Sequence, residues 1–230
     1  MWMHSTEYNV IQQENIMKKL ILSVFVIPIL FINYSCGDNP TSPNDRDTSV
    51  VAYKPNIYIY PNQELTLSVK LVFPNGGRIL ESIPDYQDSW NVTIKPNGKI
   101  DDTYDYLFYE CRIPDLTQKK YGWIIKRTDL RKFFNENLAK SNFNQKEIND
   151  FVEYWGPKLT NYEYYEIYPQ YKLTVNEMVK VNFSIKPENF FRLFYLIKGR
   201  NNNQKEILEP IIEIAKRENY FAIEWGVILK

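Results

Sequence analysis

The stretch Glu64-Leu65-Thr66-Leu67-Ser68-Val69-Lys70-Leu71-Val72-Phe73 decides how the chain is read. Leu65, Leu67, Val69, Leu71 and Phe73 recur at every other position, which is the period of a half-buried strand. Pro61-Asn62-Gln63 separates this strand from a preceding one at residues 56 to 60, and Asn75-Gly76-Gly77 turns the chain into a third at residues 78 to 83.

The same signal continues outward. Residues 89 to 95 carry Trp90, Val92 and Ile94 on one face and end at the strong turn Pro96-Asn97-Gly98. Residues 104 to 113 and 121 to 126 are rich in aromatic or β-branched side chains. Six short strands in a row predict an antiparallel sandwich or barrel-like sheet. The period changes after Arg127. Thr128 or Asp129 caps a helix to about Lys140, with Leu130, Phe133, Phe134 and Leu138 on one stripe. Asn144 with Glu147 three residues later starts a second helix, which Ile148, Phe151, Val152 and Trp155 continue until Gly156-Pro157. That phase places Glu147, Asp150 and Tyr154 away from the core, with Glu153 nearer the boundary. Strand signals return at residues 164 to 168, 172 to 175, 179 to 185 and 190 to 198, and again at 220 to 225. Residues 199 to 204 form a polar loop, and 205 to 217 read as either helix or strand, with Pro210 against an unbroken helix.

The expected fold class is α+β: mainly antiparallel β, in sandwich-like sheets, with a two-helix segment inserted near the middle. Residues 50–230 are enough for a single exported domain. Within it, Ile59-Tyr60-Pro61 with Leu65-Thr66-Leu67 is echoed by Ile167-Tyr168-Pro169 with Leu173-Thr174-Val175, and Val69 to Phe73 by Val179 to Phe183. A duplicated half-domain explains this echo, and so do two strand-turn-strand units of similar composition.

Ahead of the domain, Met17-Lys18-Lys19 precedes a 13-residue apolar run, Leu20 to Ile32, broken only by Ser23 and Pro28. A charged start and a short apolar core describe a secretory signal, and the run falls short of the roughly 20 residues a span needs. An N-terminal membrane anchor or a buried helix are its other readings. Residues 1–35 are read as the signal region, with 1–16 a possible mis-assigned start ahead of Met17, and 36–49 as a polar tether. The join Asn33-Tyr34-Ser35-Cys36 resembles a bacterial lipoprotein signal, departing from its aliphatic preference at Asn33 and in the bulk of Tyr34. The resemblance implies lipidation of Cys36, membrane lipid as a partner, and an exported domain anchored to the bacterial cell envelope at the outer membrane. Multiple acyl chains on one residue hold a protein stably, where one chain binds marginally.

Composition excludes several classes of chemistry. Lys and Arg number 28 against 28 Asp and Glu, and the pI is 6.6, so the basic footprint of a nucleic-acid partner is absent. The single histidine, His4, precedes the signal, which leaves the mature chain without imidazole. Ser-His-Asp or Cys-His catalysis and His-ligated zinc are thereby excluded. The eight glycines form no phosphate-cradling loop, and no cofactor is expected. With Cys36 lipidated, Cys111 has no disulfide partner and reads as a small buried hydrophobe on a face with Leu107, Tyr109 and Ile113, opposite Tyr106, Phe108 and Glu110. Asp101-Asp102 with Asp105, and Asp45 with Asp47, lack the loop spacing of an EF-hand, and no metal is expected.

Carboxylates, Tyr and Lys remain. Glu110, Glu153 and Glu224 each stand beside aromatics, and a pair of carboxyl groups suffices for glycoside cleavage. They are the catalytic candidates, although glutamates at strand and helix edges are commonly solvated or paired with Lys. Tyr58, Tyr60, Tyr104, Tyr106, Trp123, Tyr154, Tyr162, Tyr164, Tyr165 and Tyr168 suit a sugar or peptide surface as well as a strand core. Tyr106, Trp155 and Trp225 are the ligand-binding candidates. The expected function is an extracytoplasmic binding module for glycan or peptide, with a carboxylate-dependent hydrolase such as a glycosidase as the alternative.

Three motifs bear on kinship: Lys54-Pro55-Asn56-Ile57-Tyr58-Ile59-Tyr60-Pro61, Tyr106-Leu107-Phe108-Tyr109-Glu110, and Glu224-Trp225-Gly226. With these and the helix Glu147 to Phe151 followed by Tyr154 to Lys158, the chain resembles an uncharacterised family of secreted and lipoprotein domains. Tyr109 stands where that family usually has Trp, Gly156 where it has a bulkier residue, and Val227 where it has Gly. The resemblance covers essentially the exported domain and implies that it is intact; it brings no reaction with it.

Overall fold

The computed structural model describes residues 49–230; the signal region, Cys36 and the tether up to residue 48 lie outside the described residues. Its strands are β1 (Ser49–Tyr60), β2 (Leu65–Val72), β3 (Arg78–Ile83), β4 (Trp90–Ile94), β5 (Leu107–Pro114), β6 (Trp123–Lys126), β7 (Tyr164–Tyr171), β8 (Lys180–Phe183), β9 (Asn189–Arg200) and β10 (Phe221–Leu229). Helices α1 (Leu130–Lys140) and α2 (Gln145–Trp155) follow β6, and the short α3 (Lys172–Met178) follows β7. Seven strands form one sheet in the order β3-β5-β1-β10-β9-β7-β6, and β4-β2-β8 form a second. All pairs are antiparallel except β9 with β10. The α+β expectation, with sandwiched sheets and two central helices packed together, describes this architecture.

Strand alternation divides the large sheet between two cores. Ile57, Ile59, Leu107, Tyr109, Cys111 and Ile113 share a cluster with Leu67, Val69, Leu71, Trp90 and Val92 of the small sheet. On the opposite face, Tyr58, Leu193, Tyr195, Trp225 and Val227 pack against Phe134, Leu138, Ile148, Phe151 and Trp155 of the helices. The expected facing of β5 therefore holds, and Cys111 is a buried free thiol whose ionisation burial strongly opposes. The α2 start is a capping box: the Asn144 side chain accepts from the Glu147 amide, and the Glu147 carboxylate accepts from the Asn144 amide.

Four expectations are corrected. Residues 172 to 175 form a helix rather than a strand; α3 buries Val175 and Met178 at helical spacing while Leu173 stands 85% exposed. Residues 205 to 217 are neither helix nor strand, and their contacts are mostly scattered: Gly122 donates to the Leu208 carbonyl, Glu213 to the Tyr171 hydroxyl, and Ala215 to the Ser141 carbonyl. Glu147 faces inward: it is fully buried, accepts from the Tyr60 hydroxyl at 2.8 Å and is gripped by both terminal nitrogens of Arg217. Finally, the echoed segments differ in structure, since Leu65-Thr66-Leu67 lies in β2 and Leu173-Thr174-Val175 in α3. The other two echoed runs pair with each other, Val69 opposite Phe183 and Leu71 opposite Val181.

One irregularity positions the site. Between Ala52 and Asn56, β1 carries an extra residue relative to both of its neighbours, and Lys54 adopts φ 49° there. Pro55, which has no amide hydrogen to give to a ladder, is tolerated at such a bulge.

Candidate functional site

The bulge delivers Lys54 into a cleft of about 410 Å³ at the β3 edge of the large sheet. Glu81 and Ile83 of β3, Thr103 to Tyr106, Phe108 and Glu110 of β5, and Tyr154 near the end of α2 form the rest of its lining. Strand register brings most of these together: Glu110 lies directly opposite Glu81, and Phe108 opposite Ile83. The Lys54 ammonium stands over three rings at once, 5.2 Å from the centroid of Tyr106 and 4.8 Å from those of Phe108 and Tyr154. Its Nζ also reaches the Tyr106 hydroxyl at 3.4 Å.

The charges of the cleft are unequally matched. Asp105 pairs with Lys99 at 2.9 Å and Lys146 at 3.4 Å, and Lys146 also pairs with Asp150. Neither Glu81 nor Glu110 has a Lys or Arg nitrogen within 4.0 Å among the described residues. Burial and the neighbouring Glu81 charge push the Glu110 carboxyl above its ordinary range, against the opposing pull of the Lys54 amide and charge. Burial, with Glu110 and Glu81 adding to it, also raises the Tyr154 phenol.

The three glutamates read from sequence do not converge. Glu224 is fully buried on the face toward the small sheet, where it accepts from the Tyr109 hydroxyl at 2.8 Å and pairs with its cross-strand neighbour Arg192. Arg192 in turn donates to Asn176 Oδ1 and the Val179 carbonyl. Glu110 belongs to the opposite face of the sheet, and Glu153 is exposed beside Arg127, Arg131 and Gly156 in another depression. No two of the three share a cleft. Of the aromatic candidates, Tyr106 borders the cleft, whereas Trp155 and Trp225 are core residues with less than 2% exposure, Trp225 packed edge-on against Phe151 at 5.1 Å. A ligand does not reach those indoles. Tyr58, Tyr165 and Tyr168 are likewise buried.

The Glu-Trp-Gly motif is thus a packing unit. Glu224 matches Arg192, Trp225 fills the helix side, and a Cβ on Gly226 would stand 2.9 Å from the Phe194 ring. Sequence reading missed Lys54, Glu81 and Phe108 as site residues, because bulge geometry and the β3–β5 register bring them together. The one local signal was the Lys54-Pro55 dipeptide just ahead of the expected strand at residues 56 to 60.

The acidic turn is internally used: Asp101 accepts from the Thr93 amide and Asp102 pairs with Lys95. Among the described residues no cluster of His, Cys, Asp and Glu could hold a metal ion, and no helix is long and apolar enough to cross a membrane. A second concavity, of about 550 Å³, is lined by Tyr121, Tyr171, Leu173, Pro210 and Ile211, with Ile211 88% exposed. It is largely apolar, and its carboxylates Glu209 and Glu213 face no cation in the lining. No family model, curated protein or solved structure matches the chain.

Proposed function

We propose that this chain is an exported binding domain, held at the bacterial cell envelope by lipid on Cys36, whose cleft at Lys54, Tyr106 and Tyr154 takes a peptide or a glycan. The observation that carries the reading is the convergence of four aromatic rings, one lysine and three carboxylates from β1, β3, β5, the segment before β5, and α2 on one open concavity. Aromatic walls with a few placed polar groups are the usual make-up of a ligand site. Support for the anchor comes from the sequence alone, in the charged start, the apolar run and Ser35-Cys36.

Peptide and glycan arrays probed with the full chain and with its Tyr154→Ala variant test the cleft. Signals lost in a variant that melts like the parent support the reading; unchanged signals refute it. Cys36→Ser should release the protein from membranes, and unchanged fractionation would sink the anchor.

A hydrolytic reading has one observation in its favour, the raised Glu110 carboxyl beside Glu81. On that reading Glu110→Gln abolishes turnover and leaves binding in place.

A further inference from the structure

The charges of the cleft narrow its ligand. We propose that the cleft recognises the ammonium or guanidinium head of a Lys or Arg side chain in a peptide, the head between Glu81 and Glu110 and the aliphatic stem along Ile83, Phe108 and Tyr154. This rests on the reading of the cleft as a binding site.

Two features argue for a cation. Glu81 and Glu110 are cross-strand neighbours with no ion-pair partner within 4.0 Å among the described residues. Like charges directly opposite on neighbouring strands repel, and a ligand cation relieves that repulsion. The walls already hold a cation: the Lys54 ammonium sits 4.8 to 5.2 Å from three ring centroids, so the site's aromatic geometry suits an alkylammonium. The upward shift of Glu110 agrees, since a carboxyl held above its range gains from a partner cation.

Two features favour a peptide as its source. The stem of Lys or Arg is apolar and packs on aromatic walls while its head stays with the carboxylates, a division that a compact amino sugar lacks. Beside the cleft, β3 is the edge of the large sheet among the described residues, with Leu80 and Ile83 exposed; past the bulge between Ile79 and Glu81, an extended peptide has this edge to pair with.

The test is titration calorimetry of the full-length chain with the extended pentapeptide acetyl-TVKVT-amide, its glutamine counterpart acetyl-TVQVT-amide, and glucosamine. The lysine peptide should bind at least about tenfold more tightly than the glutamine peptide, and the E81Q/E110Q double variant should lose that preference. The double variant removes a repulsion and should melt no lower than the parent, so lost binding is not lost folding. Equal binding of both peptides, abolished by Tyr154→Ala, overturns the cation while leaving the cleft as a binding site. Preference for glucosamine over the lysine peptide overturns the peptide source. Failure of every probe to bind overturns the inference, and arrays that also stay blank remove the binding reading beneath it.

Discussion

Glu81 of β3 and Glu110 of β5 stand directly opposite each other across an antiparallel strand pair, at the mouth of a cleft walled by Tyr106, Phe108 and Tyr154. Like charges so placed repel, and at Glu110 the Lys54 amide and charge only partly offset burial and the Glu81 charge.

The first prediction follows from that placement. Glu110 titrates above its ordinary value because of burial and then Glu81, so the folded state holds its proton more tightly than the unfolded chain does. Stability from this group is therefore greatest below the ordinary glutamate range and falls as pH rises through the raised value. Glu110→Gln should stabilise the protein at neutral pH by about 0.5 kcal/mol after allowance for solvent screening, and the gain should vanish in acid. Thermal melts across pH check this; a variant that melts lower at neutral pH contradicts it.

Glu166 should behave in the opposite sense. Burial pushes its carboxyl up, but the Tyr168 hydroxyl, Lys205 and Arg200 together outweigh burial and hold it below the ordinary range. Its contribution is present above that range and is lost as pH falls through the depressed value. Glu166→Gln should cost about 1 kcal/mol at neutral pH, a modest figure because Lys205 is partly exposed, and the difference should close in acid. Urea titrations at neutral and acid pH measure both.

The buried pair between the sheets gives a larger effect. Glu224→Gln leaves the fully buried Arg192 uncompensated and should cost about 3–5 kcal/mol in urea unfolding. Arg192→Met combined with Glu224→Leu should recover much of that loss. Such recovery marks the pair as structural, and a double variant as unstable as the single one contradicts it.

At the second helix, Asn144→Ala removes the side-chain half of the capping box and should cost about 1 kcal/mol. Arg217→Met should cost more, because it strips the cation from a carboxylate with no exposure, leaving the Tyr60 hydroxyl and the Asn144 groups to satisfy it. Chemical denaturation ranks the two variants, and the reverse order would contradict the assigned role of Arg217.

Much of this fold was legible in local pattern. Alternation in β2, β4 and β5, and the Asn144–Glu147 box, are properties of neighbouring residues. The misreadings share one cause, which is contact at long range. Glu147 reads as outward by helical phase, but Tyr60 and Arg217, 87 and 70 residues away, draw it inward. Leu173-Thr174-Val175 has strand composition, yet three residues cannot show a period, and burial of Val175 and Met178 settles it as a helix. The site was half legible: Tyr106 and Glu110 stood out as aromatic and carboxylate in one motif. Their partners Lys54, Glu81 and Tyr154 reach them through a bulge, a strand register and a helix end, none of which is encoded in spacing along the chain.

The most direct measurement is nuclear magnetic resonance mapping of amide shifts in the full-length chain as the lysine pentapeptide is added. The account predicts changes concentrated at Lys54, Glu81 to Ile83, Thr103 to Glu110 and Tyr154, needing at least about tenfold more peptide in the E81Q/E110Q variant. Changes centred instead on Tyr121, Leu173 and Ile211, around the larger apolar concavity, would contradict it.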